Sequence, residues 1–442
     1  MRDWARAPTP PVHIHIIGIN YWPETTGIAV FSTGRAEYLA SRGHRVTMCA
    51  AVPYYPEWRV AREYRYRSFA RERRAGVEIR RCPVYVPSRV TPVRRVLHEA
   101  SFIAVAFARS LFGLRPDLLF VVSPPLGLAA AAVVLSRLWR VPYVFHVADL
   151  QPDAALDLGM VKAGRAARLL YAVERMAYRN AALVSTLTEA MRARIVAKGI
   201  DGQKVTIFSD WADPELFALQ PSIDAAKLRR DLGVGEAFIV LHAGNMGVKQ
   251  GLDVVVDAAE RTRDIPAVKY VLVGDGAMRR HLEARTRRAE LSNVLIAPLL
   301  SRDRFMALLA TADVCLVTQQ RTVADIVFPS KVLTLLAAGR PVIASVNADS
   351  EVARVITGSG SGEVVSPEDP GALVAAVERL RGQRETRERM GAAGRAYARR
   401  HWERERTLAH LATTLESIPR SRSSAHAAGI APSRSAAGSE PE

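Results

Sequence analysis

A lysine in the first turn of a helix opposes the positive end of the helix dipole, so Lys331 in the run Pro329-Ser330-Lys331 needs an explanation. Pro329 and the Ser330 hydroxyl stand where a helix begins, and Val332, Leu333, Leu335 and Leu336 give it apolar faces. Gly339 caps it, Pro341 stops it, and Val342-Ile343-Ala344 follows as a short buried strand. A phosphate at that helix end would make the lysine a second anion ligand. A surface lysine bent back to solvent fits the spacing equally well.

Two other groupings could do chemistry. The apolar strand from His13 to Ile19 runs into the loop from Asn20 to Gly27, where Gly27 would let a phosphate or sugar approach backbone at the next helix start. A plainer role for Gly27 is to make the turn. Further on, a strand from Pro142 to Val147 ends in HVADLQPD and sets His146 and Asp149 at a carboxyl edge, where doubly wound sheets place ligands. Three-residue spacing assigns neither a role, and a hydrogen-bonded structural pair remains the alternative.

The elements that must position these residues alternate. Strand, Thr- and Gly-rich loop, helix 29–42 and strand 45–51 open a parallel α/β sheet. The alternation restarts at Ala237 with strand FIVLHAG, loop NMGVKQG, a helix, strand VKYVLVG and turn DGAM. This predicts two Rossmann-like doubly wound domains, 12–208 and 213–393, facing across a cleft that would take a small molecule. A final helix, 394–417, and a disordered tail rich in Ser, Ala, Gly and Pro, 418–442, complete the chain.

The formal net charge is +17, and it is unevenly placed. Residues 1–210 hold 30 Lys and Arg against 16 Asp and Glu, whereas the remainder holds 31 against 28. The first half therefore faces something anionic. Between Arg59 and Arg95 lie 12 arginines and 3 glutamates, interleaved with Tyr64, Tyr66 and Phe69 and preceded by Tyr54, Tyr55 and Trp58. Segment 53–95 suits an anionic membrane surface best, then a solvated hairpin, and nucleic acid least, since no nucleic-acid-binding signature accompanies it. Cys49, Cys82 and Cys315 lie too far apart for a metal knuckle and fit a reducing compartment. The first eleven residues lack a signal-peptide core. The longest uncharged run, Leu118 to Ser136, contains Pro124-Pro125 and reads as strand, turn and helix rather than a membrane span.

GNMGVKQG, VGDG, PLLSRDRFMALLATADV and FPSKVLTLLAAGRPVIAS occur in that order in the second half, with PETTG and HVADLQPD in the first. Together they resemble glycosyltransferase family 4, of the GT-B fold, over residues 12 to about 417, and most nearly its exopolysaccharide, colanic-acid-type members. The resemblance implies a retaining, metal-independent transfer of a sugar from a GDP- or UDP-linked donor to an acceptor hydroxyl. The final helix is expected to cross back to the first domain.

The leaving group is then a nucleoside diphosphate, which calls for cations and backbone N–H groups. Lys249 matches the family's phosphate-binding lysine, and Lys331 with Ser330 would be a second clamp; Asn245 stands where many members carry an arginine. Gly244, Gly274, Asp275 and Gly276 would border the nucleotide, with base contacts near Pro298 and Leu299. The family's two glutamates fall at Ile326 and Thr334, with Asp325 as a substitute carboxylate for the first. His146 would touch the donor sugar or acceptor hydroxyls and Asp149 would orient the acceptor or assist as base, with Thr25, Thr26 and Tyr54 on the acceptor side. A lipid-diphosphate-linked glycan acceptor, reached by a cytoplasmic protein peripheral at the inner face of the plasma membrane, would account for the basic segment. A nucleotide-sugar 2-epimerase and a catalytically silent nucleotide-binding scaffold are the alternatives.

Overall fold

A computed structural model describes residues 10–67, 69–157, 164–219, 224–265, 267–322 and 328–419. Asp325, Ile326 and the tail from residue 420 lie outside the described residues. The first sheet contains His13–Ile17 (β1), Arg45–Ala51 (β2), Arg71–Arg74 (β3), Val77–Cys82 (β4), Leu118–Ser123 (β5), Tyr143–Val147 (β6), Leu183–Thr186 (β7) and Val205–Ile207 (β8). Its order is β3-β4-β2-β1-β5-β6-β7-β8, parallel except for the β3–β4 hairpin. The second contains Phe238–Ala243 (β9), Val268–Val273 (β10), Val294–Ala297 (β11), Val314–Thr318 (β12), Val342–Ser345 (β13) and Gly362–Val365 (β14). Its order is β11-β10-β9-β12-β13-β14, parallel throughout. Both are doubly wound, and each reverses direction beside its first strand, between β1 and β5 and between β9 and β12. Ligands bind at such switch points, off the carboxyl ends of the strands.

Near-continuous apolar strands such as Phe238–Ala243 fit sheets covered on both faces. Two clusters fill each domain: Ile17, Phe145 and Tyr178 on one face of the first sheet, Ile16, Phe120 and Phe208 on the other. The second sheet is sandwiched by Leu241, Leu333 and Ile356 on one side and Val240, Leu272 and Leu373 on the other.

The expected single helix over 394–417 is two helices, Arg384–Trp402 and Arg404–Ser417, broken at Glu403, whose backbone is extended. The break follows from the packing. Trp402 is buried with the second domain, whereas Leu408, Leu411, Ala412 and Leu415 are buried with Val12 and Ile14 of the first. Glu405 accepts from the Tyr38 hydroxyl at 2.9 Å, and Glu416 lies 3.0 Å from His44 Nε2 and 3.3 Å from Arg42. The two crossings are tied by a 2.9 Å bond from the Ala212 N–H to the Trp402 carbonyl.

Segment 53–95 is mostly an outward surface: ten of its twelve arginines are exposed, with Tyr66 and Phe69, while a few of its side chains turn inward. Its centre is the β3–β4 hairpin at the sheet edge. Arg81 is fully buried, paired with Glu72 at 2.9 Å and donating to the Trp22 carbonyl at 2.6 Å. Arg80 pairs with Glu78, and Arg74 pairs with Glu37 over the Trp22 ring. Tyr54 and Tyr64 are buried. No helix among the described residues is long and apolar enough to cross a membrane.

Candidate active site

The second domain builds a backbone cradle beside its switch point. The loop after β9 and the loop after β10 interlock: Gly244 N–H donates to the Val273 carbonyl at 2.9 Å, Met246 N–H to Asp275 at 2.7 Å, and Met278 N–H to Met246 at 2.9 Å. This close approach requires glycine. Gly274 has φ +150°, and a Cβ there would lie 1.8 Å from the Gly244 carbonyl oxygen; one at Gly276 would lie 2.6 Å from the Met246 carbonyl. Asp275 turns its carboxylate onto the Gly276 N–H at 2.8 Å, and Asn245 is exposed beside Gly276. Gly274 N–H bonds the Ala297 carbonyl, so Pro298 and the exposed Leu299 leave β11 next to the cradle.

Lys331 begins the short helix Lys331–Ala337, and its Nζ would sit 3.9 Å from a Cβ on Gly244. That ammonium is buried and finds no hydrogen-bond partner among the described residues, although part of the stem reaches solvent. Burial lowers its pKa from 10.5 to about 8. Beneath it, burial and then the charge of Lys331 hold the His242 imidazole neutral. An unneutralised buried cation over glycine backbone is a site for an anion. Ser330 does not cap the helix with its side chain, and it lines a separate interdomain crevice of about 180 Å³ with Thr188, Asp210 and Trp402. Pro329 precedes it, half-buried, and Thr334 is half-exposed one turn on.

The first domain contributes Asp149, just past the end of β6. Burial raises its pKa to about 6, against the opposing pull of Lys249 and then Arg95; Asp153 raises it slightly. Lys249, on the short helix Val248–Gln250 of the other domain, thus acts on Asp149 across the cleft. Asp149 Oδ1 has no partner among the described residues.

His146 does not stand at the cleft. Successive strand residues point to opposite faces, and its ring is fully buried between Phe120 and Phe208, at 5.7 and 6.5 Å, with Nδ1 3.0 Å from the Ser185 hydroxyl. Burial, then Arg35, keeps it neutral, and no direct sugar contact is available to it in this geometry. The Arg35–Asp210 pair, at 2.7 Å, lies behind it where the chain leaves the first domain.

On the acceptor side, Thr25, Thr26 and Gly27 are exposed, Gly27 at φ +59° with open space where a Cβ would go. Tyr54 is only 5% exposed, packed against His98 and Trp58, but with Thr25 it borders a cavity of about 360 Å³. Glu24, which the sequence did not single out, fixes this corner: its Oε1 accepts the Tyr54 and Tyr55 N–H groups, each at 2.9 Å, and its Oε2 accepts Asn20 at 2.8 Å. The Tyr54 and Tyr55 backbone lies some thirty residues away, so no local signal reveals that clamp. Two other buried polar groups near the donor cradle were also missed, the Thr318 hydroxyl at the end of β12 and the Gln250 side-chain oxygen; neither has a partner among the described residues.

A family model described as "Glycosyl transferase 4-like domain" matches residues 26–211, and one described as "Glycosyl transferases group 1" matches residues 224–397. The chain is similar to the putative colanic acid biosynthesis glycosyl transferase WcaI of Escherichia coli, 36% identical over 371 residues, covering 82% of this chain and 91% of that protein. It is 28% identical over 277 residues to the probable glycosyltransferase WbjE of Pseudomonas aeruginosa, covering 61% and 65%. Among solved structures, Anabaena HepE in complex with UDP and glucose superposes with a TM-score of 0.67 at 16% identity, over 92% of this chain and 100% of that one. Sucrose-phosphate synthase from Thermosynechococcus elongatus gives 0.69 at 17%, over 91% and 98%. These likenesses show that the fold is the two-domain GT-B architecture.

Proposed function

This chain belongs to the 4-like and group 1 glycosyltransferases, and from that membership we propose that it transfers a sugar from a UDP- or GDP-linked donor, with retention and without a metal, to a lipid-diphosphate-linked glycan. One observation carries the donor half: the buried Lys331 ammonium, without a hydrogen-bond partner among the described residues, over the Gly244 backbone. Loss of a nucleoside diphosphate concentrates charge on the leaving oxygens. Lys331, Lys249 and the N–H groups of the glycine loops neutralise it as the anomeric bond breaks. An oxocarbenium-like centre forms, as at other glycosidic carbons. The acceptor hydroxyl attacks from the face the diphosphate leaves, and its proton passes to the departing phosphate or to Asp149. The named activity of WcaI and the UDP bound by HepE support this assignment. An epimerase on this fold would need acid and base groups deep in the second domain, and His242 there is fully buried and neutral.

The test is steady-state kinetics on Lys331→Ala and Lys249→Ala. Each removes charge from the leaving group, so kcat/KM falls by at least about 2 kcal/mol in transition-state stabilisation. Near-wild-type kcat/KM in both variants would overturn the clamp.

A further inference from the structure

We infer that the outer stripe of helix Pro92–Leu111 docks the first domain onto an anionic lipid surface, with the helix lying in the headgroup plane. The inference rests on the lipid-acceptor proposal only for its purpose; the observations are independent of it. The helix has 20 residues, so it is about 30 Å long. Its inner face is a stripe of every fourth residue, His98, Phe102, Ala106 and Ser110, all buried. Its outer face runs Val93, Leu97, Ala100, Ala104, Ala108 and Leu111, all exposed and without a polar side chain. A helix face meant for water is polar.

The apolar surface extends past both ends. Before the N-terminus Val90 is 49% exposed, and beyond the C-terminus Phe112 is 86% and Leu114 56% exposed; within the first turns Val93 is 71% and Val96 64% exposed. Beside the C-terminal half, Phe69, Val105 and Phe112 wall a cavity of about 400 Å³ with Arg71 and Arg109 among its lining residues. Residues 89–115 carry five arginines and one acid, Glu99, which Arg95 already engages at 3.3 Å. An apolar stripe flanked by Arg94, with Arg89 and Arg115 exposed beyond its two ends, fits acyl chains below and anionic headgroups around it. A second copy of this chain fits poorly, because a contact on this stripe would bring the exposed Arg89, Arg94 and Arg115 of both copies into one interface. The same helix carries His98, whose ring lies 4.6 Å from Tyr54 at the acceptor-side cavity, so docking would set that mouth at the lipid surface.

The experiment is vesicle flotation of the full chain, without donor or acceptor, on phosphatidylcholine alone and mixed with phosphatidylglycerol. The protein floats with the anionic vesicles and releases as salt rises. A Val93→Glu, Leu97→Glu, Phe112→Glu variant loses about tenfold or more of that binding. A separate Leu97→Trp variant reports insertion as a blue-shifted emission on the anionic vesicles. Absence of flotation, flotation unchanged in the triple variant, an unmoved Leu97→Trp spectrum, or a dimer in light scattering that the triple variant abolishes would each overturn the inference. Calorimetry with UDP and GDP on the same variants reads the donor site separately, so failure of one proposal is distinguishable from failure of the other.

Discussion

Two groups titrate near neutrality and face the cleft from opposite domains, and their signs are opposite. Burial brings Lys331 down to about 8, and donor binding needs it charged, so kcat/KM falls as pH rises through about 8. Burial pushes Asp149 up to about 6, and a base must be ionised, so kcat/KM rises through about 6. A bell with those limbs is expected in kcat/KM, with the alkaline limb moved upward in kcat because a bound diphosphate holds the lysine proton. Lys331→Arg should flatten the alkaline limb, and a profile unchanged in that variant would assign the limb elsewhere. Stability runs the other way for each. The unfolded chain keeps the lysine proton to about 10.5, so stability rises with pH between 8 and 10.5; the folded chain keeps the Asp149 proton longer, so stability falls from 3.8 through 6.

At the scale of elements, the glycine loops after β9 and β10 are the least substitutable part of the site. Gly274→Ala must displace the Gly244 carbonyl, and with it the backbone that lies under Lys331. Loss of UDP or GDP binding by at least tenfold, about 1.4 kcal/mol, is expected by calorimetry; retained affinity would mean that the cradle does not hold the diphosphate. These loops were legible, because a lysine misplaced against a helix dipole and glycines after strands carry their reasons locally. His146 was not. Its position at a strand end gives no sign of which sheet face the ring takes, and β6 turns it inward against Phe120. Glu24 was invisible for the opposite reason, since its clamp closes on backbone of a distant segment. Half of the stripe of helix Pro92–Leu111 is alanine, which in sequence merges with the apolar residues around it.

For the whole molecule, the C-terminal helix Arg404–Ser417 completes the core of the first domain rather than its own. Leu411 is 1% exposed among Val12, Ile14 and Leu408. Leu411→Ala should therefore cost about 2–5 kcal/mol and lower the melting transition of the first domain, with the second domain less affected. An unchanged midpoint by calorimetry would deny that role. The two doubly wound sheets and the crossing were readable from alternation and family motifs. The break at Glu403 was not, because it is imposed by which domain each half packs against. The front-loaded positive charge was readable too, and ten of the twelve arginines between Arg59 and Arg95 are exposed; the inward turn of Arg80 and Arg81 onto Glu78 and Glu72 was not readable.

The central claim is that the cradle around Gly244 and Lys331 takes the diphosphate of a nucleotide-sugar. The most direct measurement is calorimetric titration of the full chain with UDP, GDP, ADP and dTDP, NAD serving as control, repeated on Lys331→Met. The expected result is saturable binding of one nucleoside diphosphate, weakened at least tenfold in the variant, which would also fix the base of the donor. Binding of none, or binding indifferent to Lys331, would contradict it.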